Sequence, residues 1–157
     1  MRIIKNTHTL LSLSILTLLI APFALAQSKE SKVKLKDLPA PVQQTVKEQS
    51  QGAIVRGLAK EVEDGQTVYE LELNVAGHTK DMMIAADGKI ILIEEQVELN
   101  ALPQPVKDAI LKQAGKGKIK LVESVTKNGT LAFYEAHVKK GIKTVEVKIT
   151  PDGQLMK

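Results

Sequence analysis

The chain writes one stretch twice, and that duplication limits the folds open to it. Leu38-Pro39-Ala40-Pro41-Val42 returns as Leu102-Pro103-Gln104-Pro105-Val106, Tyr69-Glu70 as Tyr134-Glu135, and Asp87-Gly88 as Asp152-Gly153. Three anchors in one order, at an offset of 64 to 65 residues, mark a duplicated structural unit. A copy of roughly 60 residues would bury only about 60% of the surface its unfolded chain exposes, so the two copies are expected to share one core. There is no cysteine to staple them, and aromatic residues are 3% of the chain, so aliphatic packing must carry the stability.

The first 26 residues stand apart from the repeat. Arg2 and Lys5 make a basic start, residues 10–20 are an apolar run, and Ala24-Leu25-Ala26 supplies a small-x-small cleavage pattern before Gln27. This reads as a secretory signal peptide over 1–26. The apolar run is shorter than the roughly 20 residues a spanning helix needs, and no stable membrane insertion is expected after cleavage. Cleavage would leave 131 of the 157 residues, with 20 Lys plus Arg against 18 Asp plus Glu. So slight a positive balance, with few stacking aromatics, argues against nucleic acid as a partner. The expected location is periplasmic or secreted.

Residues 27–36 are Lys-rich and read as a tether, although Val33 and Leu35 alternate with lysines as in a short edge strand. The first copy occupies 37–93, a linker 94–100 and the second copy 101–157. Leu38, Val42 and Val46, like Leu102, Val106 and Ile110, recur every fourth residue and predict one apolar side of a helix. The prolines fit the first helical turn, whose N–H groups lack intrahelical acceptors. Strands follow. Tyr69, Leu71, Leu73 and Val75 alternate with Glu70, Glu72 and Asn74, and Tyr134, Ala136 and Val138 alternate with Glu135, His137 and Lys139. Such alternation predicts a sheet with one buried and one wet face. Val145 and Val147 join the buried set, and Glu146 and Lys148 the wet one. Asp64-Gly65 and Asn128-Gly129 predict hairpin turns, and a fourth strand is expected at residues 90–93, with its second-copy counterpart truncated. The expected fold is α+β: two tandem repeats, each a short helix followed by an antiparallel three- to four-stranded meander, sharing one sheet with both helices on one face.

This pattern resembles the PepSY-like family of exported bacterial proteins. The likeness rests on Leu-Pro-x-x-Val opening a helix, a Tyr in the second strand, Gly77 and Gly141 in the next turn, and Asp-Gly before the last strand. It spans nearly all of the chain after the leader, twice. It implies a helix packed on an antiparallel sheet, in a tandem pair reminiscent of the secreted β-lactamase-inhibitor architecture. It also implies a non-catalytic module that binds an envelope or extracellular protein, a peptidase being one such class.

The residues themselves offer little catalytic chemistry. No Gly-x-Ser-x-Gly, phosphate loop or dinucleotide fingerprint is present, and Ser50 and Ser124 have no local basic partner. Three scattered histidines and no cysteine give no metal-ligand spacing, so neither a metal nor a cofactor is expected. If the copies form one sheet, Glu70, Glu72, Asp81, Glu135, His137 and Glu146 share its polar face, and these are the candidate protein-binding residues. The alternative is a carrier of a small apolar ligand, lined by Met82, Met83 and the aliphatic faces.

Overall fold

The computed structural model describes residues 31–63 and 65–156. The leader, residues 27–30 of the tether, Asp64 and Lys157 lie outside the described residues. The elements in chain order are β1 (Ser31–Lys32), α1 (Ala40–Gln49), β2 (Ile54–Glu63), β3 (Gln66–Val75), β4 (His78–Ala85), β5 (Ile90–Gln96), α2 (Gln104–Ala114), β6 (Lys118–Lys127), β7 (Thr130–Lys140) and β8 (Lys143–Ile149). Short 3-10 turns at Leu35–Asp37 and Leu99–Ala101 precede the helices. The eight strands form one antiparallel sheet in the order β1 to β8, so the fold is α+β.

Helix-period spacing places Val42 and Val46 of α1, and Val106, Ile110 and Ala114 of α2, against the sheet, all at most 4% exposed. Under α1 lie Tyr69, Leu71, Leu73, Met82 and Ile84, and under α2 lie Val122, Ala136, Val138, Val147 and Ile149. Val145 packs at the rim of the second cluster, half-buried rather than enclosed. Register puts both clusters on the same side. Ile93 packs into the first core and pairs with Thr126, and residues 126, 124 and 122 share a face by the two-residue period, with Val122 in the second core. The helices therefore cover one face and leave the other without a helix.

The structure divides the copies differently from the expected scheme. Residues 31–36, read as a tether, make strand β1 and a 3-10 turn, and Val33 and Leu35 pack on the first core. Residues 94–100, read as a linker, instead extend β5 to Gln96 and enter the second 3-10 turn. The matching hydrogen bonds explain why: Val33 N–H donates to Leu58 O at 3.0 Å, and Val97 N–H to Val122 O at 2.9 Å. β5 is thus both the last strand beside β4 and the lead strand of the second copy, equivalent to β1. After β8 the counterpart of residues 90–93 is reduced to a single bridge between Ile149 and Leu155, as the short stretch there predicts.

The repeated motifs meet each other in space. Gly88 and Gly153 both have positive φ, at 88° and 89°. A Cβ on Gly88 would lie 2.9 Å from Pro41 backbone atoms, and one on Gly153 would lie 2.8–2.9 Å from Pro105. Thr45 Oγ1 donates to Gly88 O at 2.7 Å, tying α1 to the same turn. Each Asp-Gly turn is therefore the seat of the helix N-terminus. Gly88→Ala and Gly153→Ala should each lower stability by more than the ~1–2 kcal/mol that a left-handed residue costs alone. Gly129→Ala, at φ 78° with open space around its Cβ, should cost only that conformational part. Urea denaturation of the three variants reads the difference.

Candidate functional site

The helix-free face carries the charges. Residues paired directly across antiparallel strands point to the same side, so the register reads out that face row by row. One row runs Gly57, Glu72, Asp81, Glu94, Val125, Phe133 across β2 to β7. Three consecutive strands thus set carboxylates directly opposite one another. The neighbouring row runs Gln96, Glu123, Glu135, Lys148, and beyond it His137 pairs with Glu146. On the other side Glu70 lies between Ala59 and Met83, whose next neighbour is Leu92. The result is a diagonal acidic lane from β3 to β8, flanked by an apolar patch of Met83, Leu92, Val125 and Phe133.

All six candidate residues, Glu70, Glu72, Asp81, Glu135, His137 and Glu146, fall on this face. The lane also contains Glu94 and Glu123, which the sequence reading leaves out. Glu94 is hidden by its assignment to the linker. Glu123 is hidden by a bulge: β6 pairs Ile119 with Val138 but Leu121 with His137, and the skipped Lys120 reverses the alternation, so that Ile119 and Val122 face the core and Glu123 faces Glu135. Continuing β5 past Ile93 by simple alternation would have found Glu94. No sequence signal announces the bulge.

The face is also drier than strand alternation implies. Glu135, expected wet, is only 7% exposed and Glu123 only 8%. Glu70, Glu72, Asp81 and Glu94 are half-buried, and Val125 and Phe133 are buried without a helix above them. Lysine chains supply part of that cover: the Lys127 and Lys148 ammoniums lie 5.6 and 5.3 Å from the Phe133 ring centroid. Met82 and Met83 cannot line one cavity, since β4 sends Met82 into the core under α1 and Met83 to the helix-free side.

Cations are concentrated at the β8 end. His137 Nε2 lies 3.3 Å from Glu123 Oε2 and 3.3 Å from Glu135 Oε1, while Lys148 Nζ lies 3.2 Å from Glu135 Oε2. Among the described residues no basic group comes within 4.0 Å of Glu70, Glu72, Asp81 or Glu94, and Asp81 Oδ1 is buried without a hydrogen bond. Burial, reinforced by Glu61, Glu72 and Asp81, pushes Glu70 from its ordinary 4.5 up to about 7. Asp81 is raised by burial and then Glu72, with Arg56 opposing. Glu94 is raised by burial and then Glu135 and Asp81. Burial and Glu94 raise Glu123 against the pull of His137. The lane is an anion array with too few counter-charges of its own.

A family model described as "Putative beta-lactamase-inhibitor-like, PepSY-like" matches the chain twice, over residues 24–94 and 86–157. The overlap falls on β5, the strand both copies use. No curated protein matches the sequence. A solved structure of a family of unknown function, from Bacteroides ovatus, is 23% identical with a TM-score of 0.60, over 76% of this chain and 85% of that one. One from Bacteroides eggerthii, described as "putative periplasmic", is 18% identical with a TM-score of 0.63, over 76% and 86%. A BLIP-like protein from Bacteroides fragilis is 18% identical with a TM-score of 0.55, over 74% and 82%. At these identities the likeness is one of fold. Among the described residues no helix is long and apolar enough to cross a membrane.

The raised carboxylates carry a pH signature. A group that holds its proton more tightly when folded adds stability below its unfolded pKa and loses it as pH climbs through the folded value. For Glu70 that window runs from 4.5 to about 7, and Asp81 and Glu94 act in the same direction. Asp152, held below 3.8 chiefly by the Thr150 hydroxyl, acts only at lower pH. The urea midpoint should therefore be higher at about pH 5 than at about pH 8.

Proposed function

The chain belongs to the β-lactamase-inhibitor-like, PepSY-like family, and on that premise we propose that it is a non-catalytic exported module that binds another protein of the cell envelope through its helix-free sheet face. The observation that carries this reading is the row Glu72, Asp81, Glu94, three carboxylates set opposite one another on adjacent strands. Like charges so placed oppose folding, and packing gives no reason to keep them. A partner presenting basic groups supplies one.

The apolar patch beside the lane adds what charge alone lacks. Met83, Leu92 and the Phe133 edge provide desolvated contact, while the carboxylates steer encounter and fix orientation. A standard interface needs about 800 Å² per partner, which eight strands can present. A peptidase is one partner class suggested by the family likeness, and restraint of such an enzyme is the activity that follows from occupying its surface. The leader pattern over 1–26 and the periplasmic description of a structural relative support an envelope location.

Purified protein lacking the leader should recover a partner from envelope extract, and Glu70→Lys with Glu72→Lys should reduce that recovery at least about tenfold at low salt. A melting curve confirms that the variant is folded. Equal recovery by both proteins would remove the helix-free face as the binding surface.

A further inference from the structure

At the β8 end of the helix-free face, two strands bring three ligand groups together, and a third strand sets a fourth, Glu123, against the same imidazole. β7 contributes Glu135 and His137, two residues apart and so on one side. β6 sets Glu123 opposite Glu135, and β8 sets Glu146 opposite His137. Ligand atoms of Glu135, His137 and Glu146 all lie within 4.8 Å of one another. Glu123 Oε2 and Glu135 Oε1 each lie 3.3 Å from His137 Nε2.

Hydrogen bonding leaves this arrangement short of a donor. Nε2 carries at most one hydrogen, so it can serve only one of the two oxygens at a time. Both distances are also longer than the roughly 2.7–2.9 Å of a charge-assisted N–H···O bond. Glu135 has Lys148 as a second partner at 3.2 Å. Glu123 does not. It is 8% exposed, and among the described residues the shared imidazole is the only polar group paired with its carboxylate. A carboxylate so buried and so thinly paired is costly unless a cation completes its surroundings.

The spacing suits a small divalent ion. Bonds of about 2.0–2.1 Å from a tetrahedral centre to nitrogen and oxygen place neighbouring ligand atoms roughly 3.3–3.4 Å apart. That is the edge already present between His137 and each of its two carboxylates. We propose that Glu123, Glu135, His137 and Glu146 form a binding site for a divalent transition-type cation of the zinc class. Imidazole among the ligands separates this class from calcium and magnesium, which take six or more oxygens. Glu146, the most exposed of the acids at 57% for its side chain, faces the solvent from which the ion would enter. Lys148 is the built-in competitor, 3.2 Å from Glu135 and 3.9 Å from Glu146, with a side chain exposed enough to swing away.

The first copy provides an internal contrast. At the 65-residue offset Glu135, His137 and Glu146 correspond to Glu70, Glu72 and Asp81, and at the 64-residue offset Glu123 corresponds to Ala59. The equivalent position there has the same number of carboxylates but no imidazole, and an alanine where Glu123 stands, so one site per chain is expected. Counting histidines along the chain argues against a metal; pairing across three strands assembles the ligands.

Chelator-treated protein lacking the leader should be titrated with zinc at neutral pH, by calorimetry and by competition with a chromogenic chelator. The expected result is one equivalent bound, with a raised melting temperature that magnesium and calcium do not reproduce. His137→Gln and Glu123→Gln should each weaken binding at least about tenfold. Lys148→Met should keep or tighten it, a change that a merely structural role for the cluster would not give. Absence of saturable zinc binding by folded wild-type protein would overturn the proposal. So would binding that His137→Gln, itself folded, leaves unchanged.

Discussion

Pairing of β5 with β6 is the constraint on which the rest of the structure depends. Five residue pairs, from Leu92 with Lys127 to Gln96 with Glu123, are the seam where two helix-capped half-sheets become one. Without it each half would expose a strand edge and hold a core of roughly 60 residues, near the lower limit for an independent fold. With it, Ile93 leans on the first core while its partner Thr126 shares a face of β6 with Val122 of the second. The duplication is therefore two copies that share a strand, not two domains on a linker.

The same seam creates the functional face. Only when β5 lies between β4 and β6 does Glu94 stand opposite Asp81 and join the first copy's acids to Glu123 and Glu135. Helices cover one side of the sheet and satisfy its aliphatic residues. The other side collects carboxylates that raise one another's pKa values, beginning with burial and continuing with their mutual repulsion. Both aliphatic cores lie on the helix face, and the carboxylate row on the opposite face works against folding.

Much of this was legible in the chain. The fourfold spacing of Leu38, Val42 and Val46, the alternation around Tyr69 and the Asp-Gly turns each depend on local geometry, and each describes an element that forms. The contact of Gly88 with Pro41 and of Gly153 with Pro105 explains why those motifs recur together, but spacing alone does not reveal it. What escaped the sequence depends on register between distant strands. Glu94 escapes because the apolar run ends at Ile93, although Val97 and Leu99 repeat the pattern of Val33 and Leu35. Glu123 was lost to a one-residue bulge, and the burial of Glu135 to the same neighbours. Charge spacing along a strand says which face a residue takes; only pairing says what stands opposite.

The central claim is that the carboxylate row is held against the interest of the fold. Its most direct test is the urea midpoint at about pH 8 of a variant carrying Glu72→Gln, Asp81→Asn and Glu94→Gln. Removing directly opposed charges while keeping side-chain shape should raise that midpoint above wild type, and the gain should shrink toward about pH 5, where protonation already relieves the repulsion. A midpoint lowered by the three amides would mean that the row stabilises the sheet, and the account would fail.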